Sequence, residues 1–249
     1  MCKSFIPPQL PQNRRPPDLQ APHLSSILCA SSVNCESAFN VPKRDITRRI
    51  STEPRWRSTG RYTRAELSAA NRNWLLDDGS LTVRLIGLGL GEFRVQRLYQ
   101  GWQVPLHSEC KLLGAPPRQR ALVREVGLTI ADKTVVFARS VFPVASLTGD
   151  LAHLRYLQNK SLGAILFKHP GMRRSPFELA RIAGDSDYLP AALHQDSPAW
   201  SRRSRFVIGG RGLMVSEVFL ESFTPWDASL PVHRAQRGKV SAAIVPASQ

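Results

Sequence analysis

Three charged residues stand where their neighbours are apolar. Arg124 and Arg139 lie in LVREVGLTIADKTVVFARSVFP, which runs from Leu122 to Pro143, and Glu217 lies in LMVSEVFLE. A guanidinium stripped of water needs an anion or several acceptors, because an uncompensated buried charge is strongly destabilising. The chemistry open to such groups is anion capture, since a planar guanidinium grips a carboxylate through two parallel N–H bonds. A carboxylate among hydrophobes can in turn exchange a proton with a ligand.

The first stretch reads as a β-hairpin, and alternation decides where its charges point. Leu122, Arg124, Val126, Leu128 and Ile130 share one face of the first strand, while Val123, Glu125, Gly127 and Thr129 share the other. With an even-numbered loop near Ala131–Lys133, Arg139 joins the face of Arg124, together with Val135, Phe137 and Val141. An odd loop would send Arg139 to the opposite face. Glu217 shares its face with Leu213, Val215 and Phe219. Two readings stay open. Either a buried Arg–Glu pair merely holds the sheet together, or the second arginine lines a pocket built for an anion.

The elements that must hold these residues follow from periodicity and punctuation. RAELSAANRNWLLDDG places Leu67, Ala70, Trp74 and Leu75 at helical spacing. SLTVRLIGL and EFRVQRLYQGWQV read as strands. Ser146 caps a helix carrying Leu151, Leu154 and Leu157, SLGAILF follows, and SPFELARIAG reads as a short amphipathic helix capped by Ser175. WSRRSRFVIGGRGLMVSEVFLESF closes the domain as two strands about GGRG. Hairpins mixed with a few helices predict an α+β domain, an antiparallel sheet with helices packed on one side.

The chain of 249 residues carries 34 Lys+Arg against 19 Asp+Glu, a formal net charge of +15. Such a balance first raises nucleic acid or an acidic membrane surface. A large share of it, however, falls in residues 1–62, a Pro-, Ser- and Arg-rich stretch with few apolar anchors that reads as a flexible basic arm. A tether, a targeting peptide and an idle extension all remain open for that arm. The domain is expected over 63–225, and 226–249 reads as a second tail. WSRRSRF is the one candidate phosphate-contacting patch, but the aromatic-interleaved basic surface of a nucleic-acid binder is sparse.

No apolar run approaches the roughly 18 residues of a spanning helix, and MCKSFIPPQL lacks the apolar core of a secretory signal. Cys2, Cys29, Cys35 and Cys110 form no CxxC pair and read as free thiols of a reducing cytoplasm. His107, His153, His169 and His194 have no metal-ligand spacing. GLGLGEF fails as a dinucleotide fingerprint, and no P-loop, HExxH or GxSxG occurs in the domain.

The ordered series WLLDDGSLTVRL, ALVREV, FARSVFPVASLTG, NKSLGAILF, WSRRSRF and LMVSEVFL resembles bacterial chorismate lyase over about Leu67 to Phe223. The resemblance implies an antiparallel sheet with helices on one side and an internal ligand pocket under flap segments. It implies an enzyme without metal or organic cofactor that eliminates pyruvate from chorismate, leaving 4-hydroxybenzoate on the way to ubiquinone; separately, a monomer is expected. By the same resemblance Arg124 grips the product carboxylate, and Glu217 lies near its hydroxyl. Leu162 contacts that hydroxyl through its backbone, Leu81 stands where the family often has Met, and Arg139 matches a second arginine near the pocket. Effector-sensing domains of some bacterial repressors share this fold and bind a small acid without chemistry. They carry a winged helix-turn-helix first, which residues 1–62 are too proline-rich to form.

Overall fold

In the computed structural model residues 53–228 are described. Most of the expected arm and nearly all of the expected tail lie outside the described residues. In chain order come β1 (Arg57–Ser58), α1 (Ala69–Leu75), α2 (Leu81–Gly87), β2 (Phe93–Gln103), α3 (His107–Leu113), β3 (Ala121–Ile130) and β4 (Lys133–Pro143). There follow α4 (Leu162–Leu166), β5 (Arg173–Arg174), β6 (Glu178–Ile182), β7 (Ala199–Ile208) and β8 (Arg211–Phe219). The strands form one antiparallel sheet in the order β1-β6-β7-β8-β4-β3-β2, with β5 paired to β7. The domain is α+β.

The β3–β4 hairpin turns through Ala131 and Asp132, whose positive φ values of 46° and 62° make a two-residue turn of the kind that matches strand twist. The loop is therefore even, and next to it Ile130 pairs with Lys133 and Thr129 with Thr134. One step further the register shifts: Leu128 pairs with Val136, leaving Val135 as the extra residue of a β-bulge. Beyond the bulge Arg124 faces Ser140 and Glu125 faces Arg139. The expectation that both arginines share a face is thus corrected. An even turn followed by a one-residue bulge has the parity of an odd turn.

On the face of Arg124, rows run straight across the sheet. Arg124, Ser140, Val215 and Ser204 make one row; Val126, Ala138, Glu217 and Arg202 make the next. Larger residues bracket these two rows. Leu128, Val136, Phe219 and Trp200 pack at one end with Leu67, Trp74, Leu75, Leu81 and Leu85 of the α1–α2 region. Leu122, Phe142, Phe206 and Leu213 pack at the other with Leu151, Leu154, Leu157, Leu162 and Leu166. The helices rest on the bulky ends, and the small side chains of Ala138, Ser140 and Ser204 leave space between. The opposite face carries α3, with Leu113 buried beside Val123, Val141 and Met214, so the helices do not all lie on one side.

Several local expectations change. SLTVRLIGL contains a helix, α2, which buries Leu81, Arg84 and Leu85 and leaves Val83 and Ile86 outside. That spacing is helical, although the run of Leu, Val and Ile suggests a strand. SPFELARIAG supplies strand β6, not a helix. Ser146 caps no α-helix. Its hydroxyl donates to Gly212 O, and the segment that follows winds as a 3-10 helix over Gly149–Tyr156. At the margins, β1 pairs with β6 and Trp56 stacks edge-on against Tyr188, so residues within the expected arm belong to the sheet. Trp226, just past the expected end of the domain, packs on Phe219 and Phe223.

Candidate active site

The space between the two bulky ends is a cavity of about 50 Å³, several times the roughly 10–15 Å³ one water requires. Arg124, Val126, Ala138, Ser140, Val215 and Glu217 form its floor from the sheet, and Val95 of β2 closes one side. Its roof is made by two helix starts. Leu81 opens α2 and Leu162 opens α4, so the N–H of each lies in a first turn, beyond reach of its own helix's carbonyls. The two roof segments meet at a hydrogen bond of 3.0 Å between the hydroxyls of Thr82 and Ser161. Gly163 lets them close up, because a Cβ there would sit 3.3 Å from Ser80 Oγ.

Four of the five residues anticipated for the site, Arg124, Glu217, Leu162 and Leu81, line this cavity. Arg139 does not. It points to the other face, where its Nε and Nη2 donate to Glu109 at 2.8 and 3.1 Å and its Nη1 donates to Glu125 at 2.6 Å. Burial works against its charge, but the hydrogen bonds and charge of Glu109, with help from Tyr188 and Glu125, hold its pKa above the ordinary arginine value. Arg139 is a structural cation.

Arg124 is in the opposite state. It is only 1% exposed, and its Nη2 donates to Gln158 O at 2.7 Å and Lys160 O at 2.8 Å, while Nε has no partner among the described residues. Among the described residues no carboxylate pairs with it. Burial, and then the charge of Arg97, push its pKa down to about 10, still far enough above neutrality to keep the cation. Carbonyls fix the guanidinium in place without neutralising it, which leaves a charge oriented to receive an anion.

Glu217 is held by a residue that the sequence offers only as part of a strand pair or a phosphate patch. Arg202 donates from Nε to Glu217 Oε2 at 2.6 Å and from Nη1 to Trp74 O and Asp77 O at 2.7 and 2.8 Å. It thereby ties the last turn of α1 to the carboxylate. Oε1 of Glu217 takes no hydrogen bond among the described residues. Arg203, the next residue of WSRRSRF, points to the other face and pairs with Glu178 at 2.7 Å. Both arginines are buried, so WSRRSRF offers no phosphate-contacting surface through them.

One cavity residue was missed by sequence reasoning altogether. Arg174 of β5 is buried, donates from Nε to Ser204 Oγ at 2.8 Å, and lies against the Phe177 ring at 4.0 Å and the Phe206 ring at 4.8 Å. Burial, then the neighbouring charge of Arg202, push its pKa down to about 9. Alternation of Phe177 and Leu179 could have marked the following segment as a strand, but the facing of Arg174 follows only from the pairing of β5 with β7.

Two cationic side chains, Arg124 and Arg174, are fixed in a small apolar-walled chamber beside the carboxylate of Glu217, an arrangement that can receive a small anionic molecule. Among the described residues no three His, Cys, Asp or Glu gather as a metal site, and no helix is long and apolar enough to cross a membrane. Residues 56–228 match the family model of chorismate lyase, and the chain belongs to that family. It is an enzyme, a lyase with a small-molecule substrate. A probable chorismate pyruvate-lyase of Pseudomonas aeruginosa (strain UCBPP-PA14) is 43% identical over 155 residues, covering 62% of this chain and 84% of that protein. One from Methylococcus capsulatus (strain Bath) is 40% identical over 151 residues, 59% of this chain and 93% of that protein. Among solved structures, the effector domain of PhnF from Mycobacterium smegmatis is similar at 15% identity and a TM-score of 0.44, over 59% of this chain and 91% of that one.

Proposed function

We propose that this enzyme eliminates pyruvate from chorismate and leaves 4-hydroxybenzoate, the aromatic ring precursor of ubiquinone. The observation that carries this reading is Arg124, a buried cation at the cavity wall whose partners among the described residues are two carbonyls. The ring carboxylate of chorismate supplies the missing anion, held by the fork of Arg124. The hydroxyl-bearing end of the ring then lies towards Glu217 and the first turn of α4, where Glu217 Oε1 and the N–H of Leu162 are free to meet it. Leu81 and Val126 supply apolar walls for the ring faces.

The reaction balances with these groups alone. The bond between the ring carbon and the ether oxygen breaks, and the neighbouring ring carbon gives up its hydrogen as the ring becomes aromatic. The released enolpyruvate takes a proton at its methylene carbon to become pyruvate. Aromatisation drives the step, so the protein's task is orientation and the handling of charge on the leaving oxygen. Glu217, kept in place by Arg202, is positioned to pass the proton or to accept the hydrogen bond of the new phenol.

The test is direct. Purified full-length protein with chorismate and a chelator is expected to yield 4-hydroxybenzoate and pyruvate in equal amounts. Binding of 4-hydroxybenzoate without any turnover of chorismate would overturn the assignment and leave a binding protein.

A further inference from the structure

Six arginines are buried among the described residues: Arg84, Arg124, Arg139, Arg174, Arg202 and Arg203. Four have a carboxylate partner, namely Asp77 for Arg84, Glu109 and Glu125 for Arg139, Glu217 for Arg202, and Glu178 for Arg203. The remaining two, Arg124 and Arg174, have none among the described residues, and both line the same cavity. Among the buried arginines of the described residues pairing is the rule, and the two exceptions converge on one chamber.

Arg174 is not loosely placed. Its Nε is fixed by Ser204 Oγ at 2.8 Å, its Nη1 reaches Asp78 O at a long 3.3 Å, and its guanidinium is packed between the rings of Phe177 and Phe206. Aromatic faces orient a guanidinium and stabilise its charge in part, yet they do not supply the strong acceptor oxygens of a carboxylate. The one carboxylate in the cavity, Glu217, is already engaged by Arg202. Glu217, Asp77 and Asp78 act on Arg174 through their charge, but among the described residues none of their carboxylates hydrogen-bonds it. The chamber therefore presents two guanidiniums that lack a carboxylate partner, which suits a ligand with two carboxylates better than one with a single carboxylate.

We propose that Arg174 receives the second carboxylate of the substrate, the one on the enolpyruvyl side chain that departs with pyruvate. This rests on the reading of Arg124 as the holder of the ring carboxylate. The two arginines then divide the substrate between its products: Arg124 keeps its anion when the ether bond breaks, and Arg174 loses its anion with pyruvate. Arg174 is thus a specificity residue for the dicarboxylate, with no part in holding the aromatic product.

The test separates one carboxylate from two. Full-length parent, Arg174→Met and Arg174→Lys are compared for chorismate turnover, and by calorimetric titration with 4-hydroxybenzoate and with the stable dicarboxylate 3-(carboxymethoxy)benzoate. Arg174→Met is expected to lose on the order of 10–100-fold in kcat/KM for chorismate and in affinity for the dicarboxylate, the range of a hydrogen-bonded charge. Its affinity for 4-hydroxybenzoate should stay within about 3-fold of the parent, and its thermal midpoint should not fall, since an unpaired charge has been removed. Arg174→Lys keeps the charge without the fork and should lie between, which preserves the test if the Met variant folds poorly. Equal losses for the monocarboxylate and the dicarboxylate, or no loss for either, would overturn the proposal. A parent that binds the dicarboxylate Arg174-dependently yet never turns over chorismate would sink the assigned reaction and leave the Arg174 site standing.

Discussion

On the face away from the cavity, Arg139 is bound by Glu109 and Glu125 and Arg203 by Glu178. On the cavity face, Arg124 and Arg174 meet carbonyls, a hydroxyl and aromatic rings. The same side chain, equally buried, serves two purposes according to whether the protein itself provides the anion. A paired buried arginine is part of the scaffold. An unpaired one keeps an electrostatic demand that, on the reading proposed above, the substrate satisfies, and the folded protein tolerates it because the surrounding packing stabilises the whole. Mutations should therefore separate the two faces: breaking a pair should harm the fold, and removing an unpaired cation should harm the chemistry.

The largest expected effect is on the paired face. Glu109 accepts two hydrogen bonds from Arg139 and a third from the backbone N–H of Leu106. Glu109→Ala leaves Arg139 with Glu125 alone and should cost about 3–5 kcal/mol of stability, the range for breaking a buried ion pair. At roughly 2–4 °C per kcal/mol for a domain of this size, the thermal midpoint should drop by about 6–20 °C. KM for chorismate, measured on the folded enzyme at low temperature, should change little. A variant that keeps its midpoint but loses substrate affinity would show that the far face takes part in binding, and the division would fail.

Arg124→Met is the mirror experiment. Losing a charged anchor oriented at the reacting molecule should lower kcat/KM by about 10²–10³-fold, comparable to removing one oxyanion-hole donor. The midpoint should hold steady or rise, because Met fills much of the same space without an unpaired charge. A marked fall in midpoint with near-parental turnover would make Arg124 another scaffold residue, its bonds to Gln158 O and Lys160 O being its whole purpose.

How much of this was open to a reader of the sequence depends on which residues one follows. Arg124 and Glu217 were legible, because each interrupts an alternating apolar strand and alternation puts both on the covered face. Arg139 was not: the sequence leaves its facing to the parity of the loop, and even the even, two-residue turn that forms does not put it beside Arg124. Val135, Val136 and Phe137 are all apolar, so a one-residue bulge there leaves no mark in the pattern and still reverses every facing beyond it. Arg174 was hidden for a related reason. SPFELARIAG fits a helix by its cap and a strand by its alternation, and only pairing with β7 decides. In SLTVRLIGL, composition pointed to a strand while packing of Leu81 and Leu85 against α1 and the sheet made a helix. Long-range pairing selected among local options that single segments left balanced.

The smallest expected effect concerns how the paired face is delivered. Glu109 rides on α3, and the start of α3 is held by Glu53, whose carboxylate accepts from the N–H groups of His107 at 2.8 Å and Ser108 at 3.0 Å. Partial burial pushes the Glu53 pKa up, but those two bonds, with contributions from the Ser108 hydroxyl and His107, pull harder and leave it below its ordinary value of 4.5. A carboxylate whose folded pKa is depressed contributes stability that is present above the unfolded pKa and is lost as pH falls through the folded one. Glu53→Gln removes the charge while keeping one acceptor, so at pH 7 it should be less stable than the parent by about 0.3–1 kcal/mol, the range for an anion at a helix start. Denaturant titrations of both proteins should show that difference closing as the pH drops below about 4.5, while chorismate turnover at pH 7 stays at the parental level. A gap that persisted undiminished at pH 3 would mean that the Glu53 charge does not hold α3, and that Glu109 reaches Arg139 without its help.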